Sequence, residues 1–287
     1  MTEARFYAAT EDGVQCLLCP HRCRIREGGR GRCRSRECRD GKLYALSYGA
    51  PCALAVDPVE KKPLNRFLPG TYCLSLSCTG CNLSCRWCQN SDISQAAPED
   101  ADAGALSPEE LVTLCIRRGL PAIAYTYTEP FTWWEYMHDI AALAHRRGLK
   151  NILVSAGYVE KEPLQEILPF LDAANIDIKA MDDAFYRKYC GATLQPVLDN
   201  ILAMAAHGVH VEITNLLVTG LNDSTEQVGR LCAWLRDNGL QDVPLHFSRF
   251  FPRYRMRDSA PTPKETLLRA REIAASYGIG TVYLGNI

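Results

Sequence analysis

The sequence predicts an α/β protein, a partial or complete parallel (β/α) barrel carrying a small N-terminal cysteine-rich metal-binding module. From Thr71 to the last residues, short apolar runs alternate with amphipathic stretches of helical period, the rhythm of parallel strands joined by right-handed crossovers. Eleven of the 14 cysteines lie at or before Cys88, and a C-x3-C-x2-C triplet follows the first apolar run. These features divide the chain into a module over residues 1–50, a connecting segment over 51–70 and the barrel over 71–287.

Residues 14–45 hold Cys16, Cys19, Cys23, Cys33 and Cys38 among glycines and arginines, with little periodicity, as in a small fold stapled by metal. TYCLSLSC, residues 71–78, reads as a buried strand. Ser107 with Glu110 three residues on is a capping box that opens a helix through LVTLCIRRG. PAIAYTYTEP is the second strand, WWEYMHDIAALAHRRG a helix, NILVSAG the third strand and EPLQEILPFL a helix. NIDIKA is the fourth strand, and Asp182 to His207 form one or two helices. HVEITNLLVTG, TEQVGRLCAWLRDNG, VPLHFSRF, PKETLLRAREIAASYG and TVYLG continue the alternation to six or seven units. Strands this apolar face water on neither side, which favours a barrel over a doubly wound sheet; no G-x-G-x-x-G follows the first strand.

With 47% apolar and 23% charged residues and a formal net charge of -1, the chain is neither disordered nor a general polyanion binder. No apolar run is long enough to span a bilayer, and the first residues lack the basic-then-apolar layout of a signal peptide, so a cytoplasmic location is expected. Cytosolic thiols stay reduced, which makes the cysteines metal ligands rather than disulfides.

The triplet Cys81, Cys85 and Cys88 suits a 4Fe-4S cluster with three protein ligands and one open iron, the arrangement needed when a cofactor or substrate completes the cluster. Zinc fits less well, since structural zinc takes four ligands and no Cys or His follows until Cys115; free thiols are the remaining alternative. In the module, Cys16, Cys19, Cys23 and Cys33 are spaced C-x2-C-x3-C-x9-C, which resembles a structural zinc site with His21 as an alternative ligand; a second iron-sulfur cluster would use the same thiolates. Between Arg22 and Arg39 stand eight arginines against two glutamates, a basic patch for a phosphate backbone or an acidic protein face, or simply a solvated surface.

In a β/α barrel, functional residues gather at the C-terminal strand ends. That rule selects the cysteine loop; Tyr125, Thr128 and Glu129; Ser155, Gly157 and Tyr158; Asp177 and Lys179; Asn215, Asn222 and Asp223; and His246 and Arg249.

With these residues in place, CNLSCRWC resembles the C-x3-C-x-aromatic-C loop of the radical SAM superfamily, with Trp87 at the aromatic position. YTYTEP is similar to the superfamily's GGE-type strand, whose acid receives the amino group of S-adenosylmethionine (SAM), and Glu129 matches that acid. IDIKA resembles the DLK strand of glycyl radical enzyme activases such as the pyruvate formate-lyase activating enzymes, and HFSRF their sixth-strand histidine. A closer resemblance is to the radical SAM enzyme of the AmmeMemoRadiSam system. It runs in order through CLLCPHRCRIREGGRGRC, DPVEKKPLNRFLPG, GCNLSCRWCQNSDIS, AYTYTEP, DAANIDIKA, FYRKYCGATLQPVLD, LLVTGLNDS, PLHFSRFFPRY and VYLGN, nearly the whole chain. The third strand ends SAG rather than TNG, so Ala156 replaces an Asn that approaches SAM. Longer members also continue past the position of Ile287 into a tail with a further cysteine pair.

The resemblance implies that Cys81, Cys85 and Cys88 hold the 4Fe-4S cluster and that Trp87, Glu129, Ser155, Asp177, Lys179 and His246 form the SAM site. It implies reductive cleavage of SAM to a 5'-deoxyadenosyl radical that abstracts hydrogen from an unidentified substrate. Cys190, in the matched segment FYRKYCGA, is the candidate catalytic residue on the substrate side, with a buried structural cysteine as the alternative. Expected partners are SAM, an electron donor such as flavodoxin or ferredoxin, and other AmmeMemoRadiSam components, with no membrane. A glycyl radical enzyme activase is the alternative function. A third is a non-enzymatic iron-sulfur or zinc protein that binds nucleic acid or protein through its basic module.

Overall fold

The computed structural model describes residues 1–102 and 104–287. Six short strands, β1 (Thr2–Glu3), β2 (Tyr7–Thr10), β3 (Gly13–Cys16), β4 (Arg24–Arg26), β5 (Arg36–Arg39) and β6 (Lys42–Ala45), form two antiparallel sheets ordered β1-β6-β5 and β2-β3-β4. Val14, Ile25, Leu43 and Ala45 are buried and belong to the same core as the rest of the chain.

Eight further strands build one sheet: β7 (Ala53–Pro58), β8 (Tyr72–Ser77), β9 (Ala122–Tyr125), β10 (Lys150–Ser155), β11 (Ala173–Asp177), β12 (His210–Leu217), β13 (Leu245–Arg249) and β14 (Val282–Gly285). Neighbours follow chain order from β7 to β14. All pairs are parallel except β7 with β8. The sheet is open, with β7 and β14 as its edges. It starts at Ala53, inside the stretch whose sequence reads as a connector. Leu54 and Val56 of β7 remain 43% and 38% exposed, so this edge strand lacks the apolar-in, polar-out alternation that marks a strand in sequence.

Helices Pro108–Arg117, Trp134–Arg146, Lys161–Ile167, Gln195–Ala206, Thr225–Asp237 and Lys264–Ser276 connect the strands. The first is opened by the capping box, the Ser107 hydroxyl accepting from the Glu110 amide at 3.2 Å and the Glu110 carboxylate from the Ser107 amide at 2.8 Å. Asp182–His207 resolves into a short turn, a turn of π-helix at Tyr186–Cys190 and the helix from Gln195. The helices pack on the sheet face that carries Leu74, Leu76, Ile123, Leu153 and Ile176.

The opposite face carries apolar, mostly small residues in register toward the β8 side, Cys73 beside Ala122 and Ile152 beside Ala173, and polar ones toward the β13 side, Asn175 beside Glu212 and Thr214 beside His246. The segment between β7 and β8 seats on it. Val59 and Leu64 share a buried cluster with Cys73, Ala122, Ala124, Ile152 and Ala173. The Asn175 amide donates to the Pro63 carbonyl at 2.8 Å, and the Glu212 carboxylate accepts from the backbone of Asn65 at 3.1 Å and Arg66 at 2.7 Å. Among the described residues no helix is long and apolar enough to cross a membrane.

Candidate active site

The chain leaves β8 at Ser77 and turns through Gly80, at φ 97°, into the cysteine loop over the C-terminal edge of the sheet. Side chains from the β9 end hold the turn: the Thr128 hydroxyl donates to the Cys78 carbonyl at 2.7 Å and the Thr132 hydroxyl to the Gly80 carbonyl at 3.4 Å. The amides of Ser84 and Arg86 donate to the carbonyls of Cys190 and Tyr189 at 2.7 and 3.1 Å, so the π-helical turn docks directly on the loop. The Leu83 amide donates to the Cys81 sulfur at 3.3 Å, and the Ser94 hydroxyl lies 3.3 Å from the Cys88 sulfur. Donors aimed at sulfur favour thiolate ligands, and three thiols on one loop fit an iron-sulfur cluster.

Burial pushes the thiols of Cys81 and Cys88 up. Cys85 is lowered, chiefly by a side-chain hydrogen bond with Cys190, whose own thiol is raised by the same contact. The fully buried Cys190 thus lies against a predicted cluster ligand.

Glu129 is 1% exposed. Its carboxylate accepts from the Ser155 hydroxyl at 2.6 Å and the Ala156 amide at 2.9 Å. Ala156, which lacks the amide side chain of an Asn, therefore still contributes a backbone donor. Burial raises the Glu129 carboxyl to about 7 against these donors. Asp177, at the end of β11, pairs with Lys179 at 2.7 Å. Burial opposes the Lys179 charge, but Asp177 outweighs it and holds the ammonium protonated. Trp87 is buried with its ring 5.6 Å from that of Phe185. His246 is buried on β13, its Nε2 at 2.5 Å from Glu212 and its ring stacked on Tyr283.

Other residues chosen by the strand-end rule hold backbone or other side chains. Asn215 and Asn222 donate to the carbonyls of Ile178 and Lys179, both at 2.7 Å, and Asp223 accepts from the Gly220 amide at 2.8 Å. Arg249 donates to the Thr262 carbonyl, and the Tyr158 hydroxyl bonds Thr193 at 3.1 Å. Tyr125 is buried with its hydroxyl on Asn151 at 2.8 Å, and Gly157, at φ 66°, donates its amide to the Ser155 hydroxyl at 2.8 Å.

Sequence reasoning did not select Asp57, Lys62, Tyr127 and Glu212. Lys62, 1% exposed, pairs with Asp57 at 2.6 Å and lies 4.5 Å from the Tyr127 ring centroid; the Tyr127 hydroxyl also bonds Asp57. Tyr127 sits at φ 66°, a strained conformation for a tyrosine, and its carbonyl accepts from Asn90 of the cysteine loop at 2.7 Å. Two lysines beside a proline in DPVEKKP, with an acid four and five residues before them, were the available signal.

In the N-terminal residues, Cys16, Cys19, Cys23 and Cys33 line one small cavity with His21 and Arg36. Cys38 is not on it; its thiol faces Glu27 at 3.7 Å. Of the eight arginines between Arg22 and Arg39, Arg22, Arg26, Arg30, Arg36 and Arg39 pair with carboxylates, which compensates most of the basic patch.

Residues 76–235, from the end of β8 through the helix Thr225–Asp237, match the sequence model of the radical SAM superfamily. The chain belongs to the radical SAM superfamily. An uncharacterized protein of Methanocaldococcus jannaschii is 46% identical over 288 residues, which cover 100% of this chain and 86% of that protein. The isethionate sulfite-lyase activating enzyme of Nitratidesulfovibrio vulgaris is 24% identical over 79% of this chain and 76% of its own length. Among solved structures, QueE from Escherichia coli has the same fold, with a TM-score of 0.54 at 12% identity, over 82% of this chain and 92% of that one. Membership of this radical SAM superfamily indicates an enzyme, and implies a 4Fe-4S cluster and SAM.

Proposed function

We propose that this chain reductively cleaves SAM at a cluster held by Cys81, Cys85 and Cys88 and directs the resulting radical at a substrate not yet identified, as the radical SAM component of the AmmeMemoRadiSam type. The observation that carries the reading is the convergence on one sheet edge of the three-thiol loop, the buried Glu129 and the Asp177–Lys179 pair. When bound, the cluster and SAM supply one-electron cleavage to a 5'-deoxyadenosyl radical. The residues bind and orient. Glu129, braced by Ser155 and Ala156, accepts the amino group of SAM; Trp87 borders the adenine; Lys179, held charged by Asp177, faces its carboxylate. His246, fixed by Glu212, lies beside the methionine end. Cys190 donates its S–H toward Cys85 and closes one side of the loop against water. Residues 1–50 form a metal-binding module that shares the core of the rest of the chain and borders this loop, and an external flavodoxin- or ferredoxin-type donor supplies the electron.

Anaerobic reconstitution, reduction with dithionite and assay of 5'-deoxyadenosine test the proposal. The nucleoside forms, and replacing the three cysteines with Ala abolishes it. Absence of SAM cleavage together with absence of a spectral change on adding SAM would overturn the reading.

A second reading, activation of a glycyl radical enzyme, is favoured by the similarity to the isethionate sulfite-lyase activating enzyme. It requires a glycyl radical enzyme encoded nearby and an electron paramagnetic resonance doublet when the two proteins are mixed with SAM under reduction.

A further inference from the structure

We infer that the cavity between the cysteine loop and the segment that follows β13 receives an anionic end of the substrate, a carboxylate or a phosphate, on Arg253 and Arg257. The inference rests on reading this chain as a SAM-cleaving enzyme with Cys88 among its cluster ligands.

Four strands separate β8 from β13 in the sheet, yet the chain beyond one strand meets the chain beyond the other. The Arg255 amide donates to the carbonyl of Arg86, a residue of the cysteine loop, at 3.0 Å. Phe250 and Met256 flank this crossing and pack into the core. Tyr254, next to the contact, takes φ 51°, a left-handed conformation costly for a tyrosine and one that tends to cluster at ligand sites. The bridge borders a cavity of about 410 Å³, the size of a small-molecule site. Cys88 and other residues from 88–92 form one wall, and residues from 252–257 the other. Glu129, Asp177 and Lys179 are not on these walls, so the cavity adjoins the proposed SAM site without being formed by it.

The segment carries four arginines, and their surroundings divide them. Arg249 donates to the Thr262 carbonyl and lies 4.8 Å from the Phe251 ring centroid, and Arg255 lies 5.0 Å from the Tyr254 centroid. Arg253 and Arg257 line the cavity and are exposed. Among the described residues neither guanidinium is within ion-pair distance of a carboxylate, whereas five of the eight arginines between Arg22 and Arg39 are. Asp92 is the cavity's one carboxylate, which leaves an excess of positive charge on its walls. In a chain with 32 basic and 33 acidic side chains, that excess is local to this mouth. A planar guanidinium forks onto two oxygens of a carboxylate or phosphate, and exposure keeps both cations solvated until such a group arrives. Because Cys88 is on the facing wall, an anion seated on the arginines leaves the rest of its molecule beside the cluster loop.

The test uses reconstituted protein with its cluster oxidised, which binds SAM without cleaving it. The SAM-loaded protein is titrated calorimetrically with inorganic phosphate and, separately, with succinate. Arg253→Gln/Arg257→Gln is compared with Arg269→Gln/Arg271→Gln, which removes the same charge from exposed positions on the helix Lys264–Ser276. At least one anion should bind at one site, about tenfold or more weakly in the cavity variant and unchanged in the control, with equal SAM affinity in all three proteins. Which anion binds distinguishes a phosphate from a carboxylate substrate. Binding of neither anion, or equal weakening in both variants, would overturn the inference. Loss of SAM affinity in the cavity variant would assign the cavity to SAM, overturning the inference and leaving the cleavage reading intact. Unaltered protein that neither binds nor cleaves SAM would remove that reading itself. Normal anion binding by the cavity variant, with slowed reduction by a flavodoxin but not by dithionite, would make the arginines an electron-donor face and also overturn the inference.

Discussion

At Glu129 burial and hydrogen bonding pull in opposite directions. Desolvation favours the neutral acid, the donors from Ser155, Ala156 and Phe131 favour the carboxylate, and the outcome is a group that titrates at about 7. The folded value lies above the ordinary 4.5, so this residue contributes stability below pH 4.5 that is lost as the pH rises through about 7. An ammonium ligand needs the ionised form. With roughly a tenth ionised at pH 6 and nine-tenths at pH 8, SAM should bind about tenfold more tightly at the higher pH. Anaerobic titration calorimetry across that range checks this, with Glu129→Gln as the control: binding weakens and the pH dependence flattens. A wild-type affinity constant from pH 6 to 8 would remove Glu129 from contact with the amino group.

The element that most changes how the sheet works is the segment from Val59 to Leu68. It seats on the sheet face opposite the helices and fixes Glu212, whose carboxylate also receives His210 at 3.0 Å and His246 at 2.5 Å. Burial alone would raise Glu212, but the two histidines and the two amides outweigh it and bring it down to about 2. A depressed carboxylate contributes stability above its ordinary 4.5 that is lost as the pH falls toward 2; the shift corresponds to ~3 kcal/mol at pH 7. Glu212→Gln should therefore cost about 3 kcal/mol in urea unfolding at pH 7 and progressively less toward pH 3. A cost independent of pH would mean that packing, not charge, holds the segment. None of this was legible in DPVEKKPLNRFLPG, because the partners of these residues lie on β11 and β12, more than a hundred positions away, and no periodicity reports such a contact. The cysteine loop was legible for the opposite reason. Its ligands must come from one short turn, so their spacing is written locally, as is the Ser107 cap.

For the whole molecule, the central question is how the two N-terminal sheets are fastened to the main one. Parallel strand order followed from the alternation of runs. The fastening did not, since the buried ion pair within it uses one arginine among eight in a stretch that reads as a solvated basic surface. Arg36 of β5 is fully buried against Glu135 of the helix Trp134–Arg146, whose carboxylate also accepts the Arg5 amide at 2.7 Å; Ser35 donates to the Thr132 carbonyl at 3.2 Å beside it. Removing one partner of such a pair leaves a buried charge without compensation, at a cost of about 3–5 kcal/mol, whereas replacing both with apolar residues is often near neutral. Arg36→Met should lower the urea midpoint by an amount within that range and expose the link between Ala45 and Ala53 to protease. Adding Glu135→Leu should restore most of the loss, the non-additivity expected of residues in direct contact. If the double variant falls by the sum of the two single losses, the pair is not what joins the halves, and the docking rests instead on the shared apolar core and on the close approach of Gly80 to the Cys33 carbonyl.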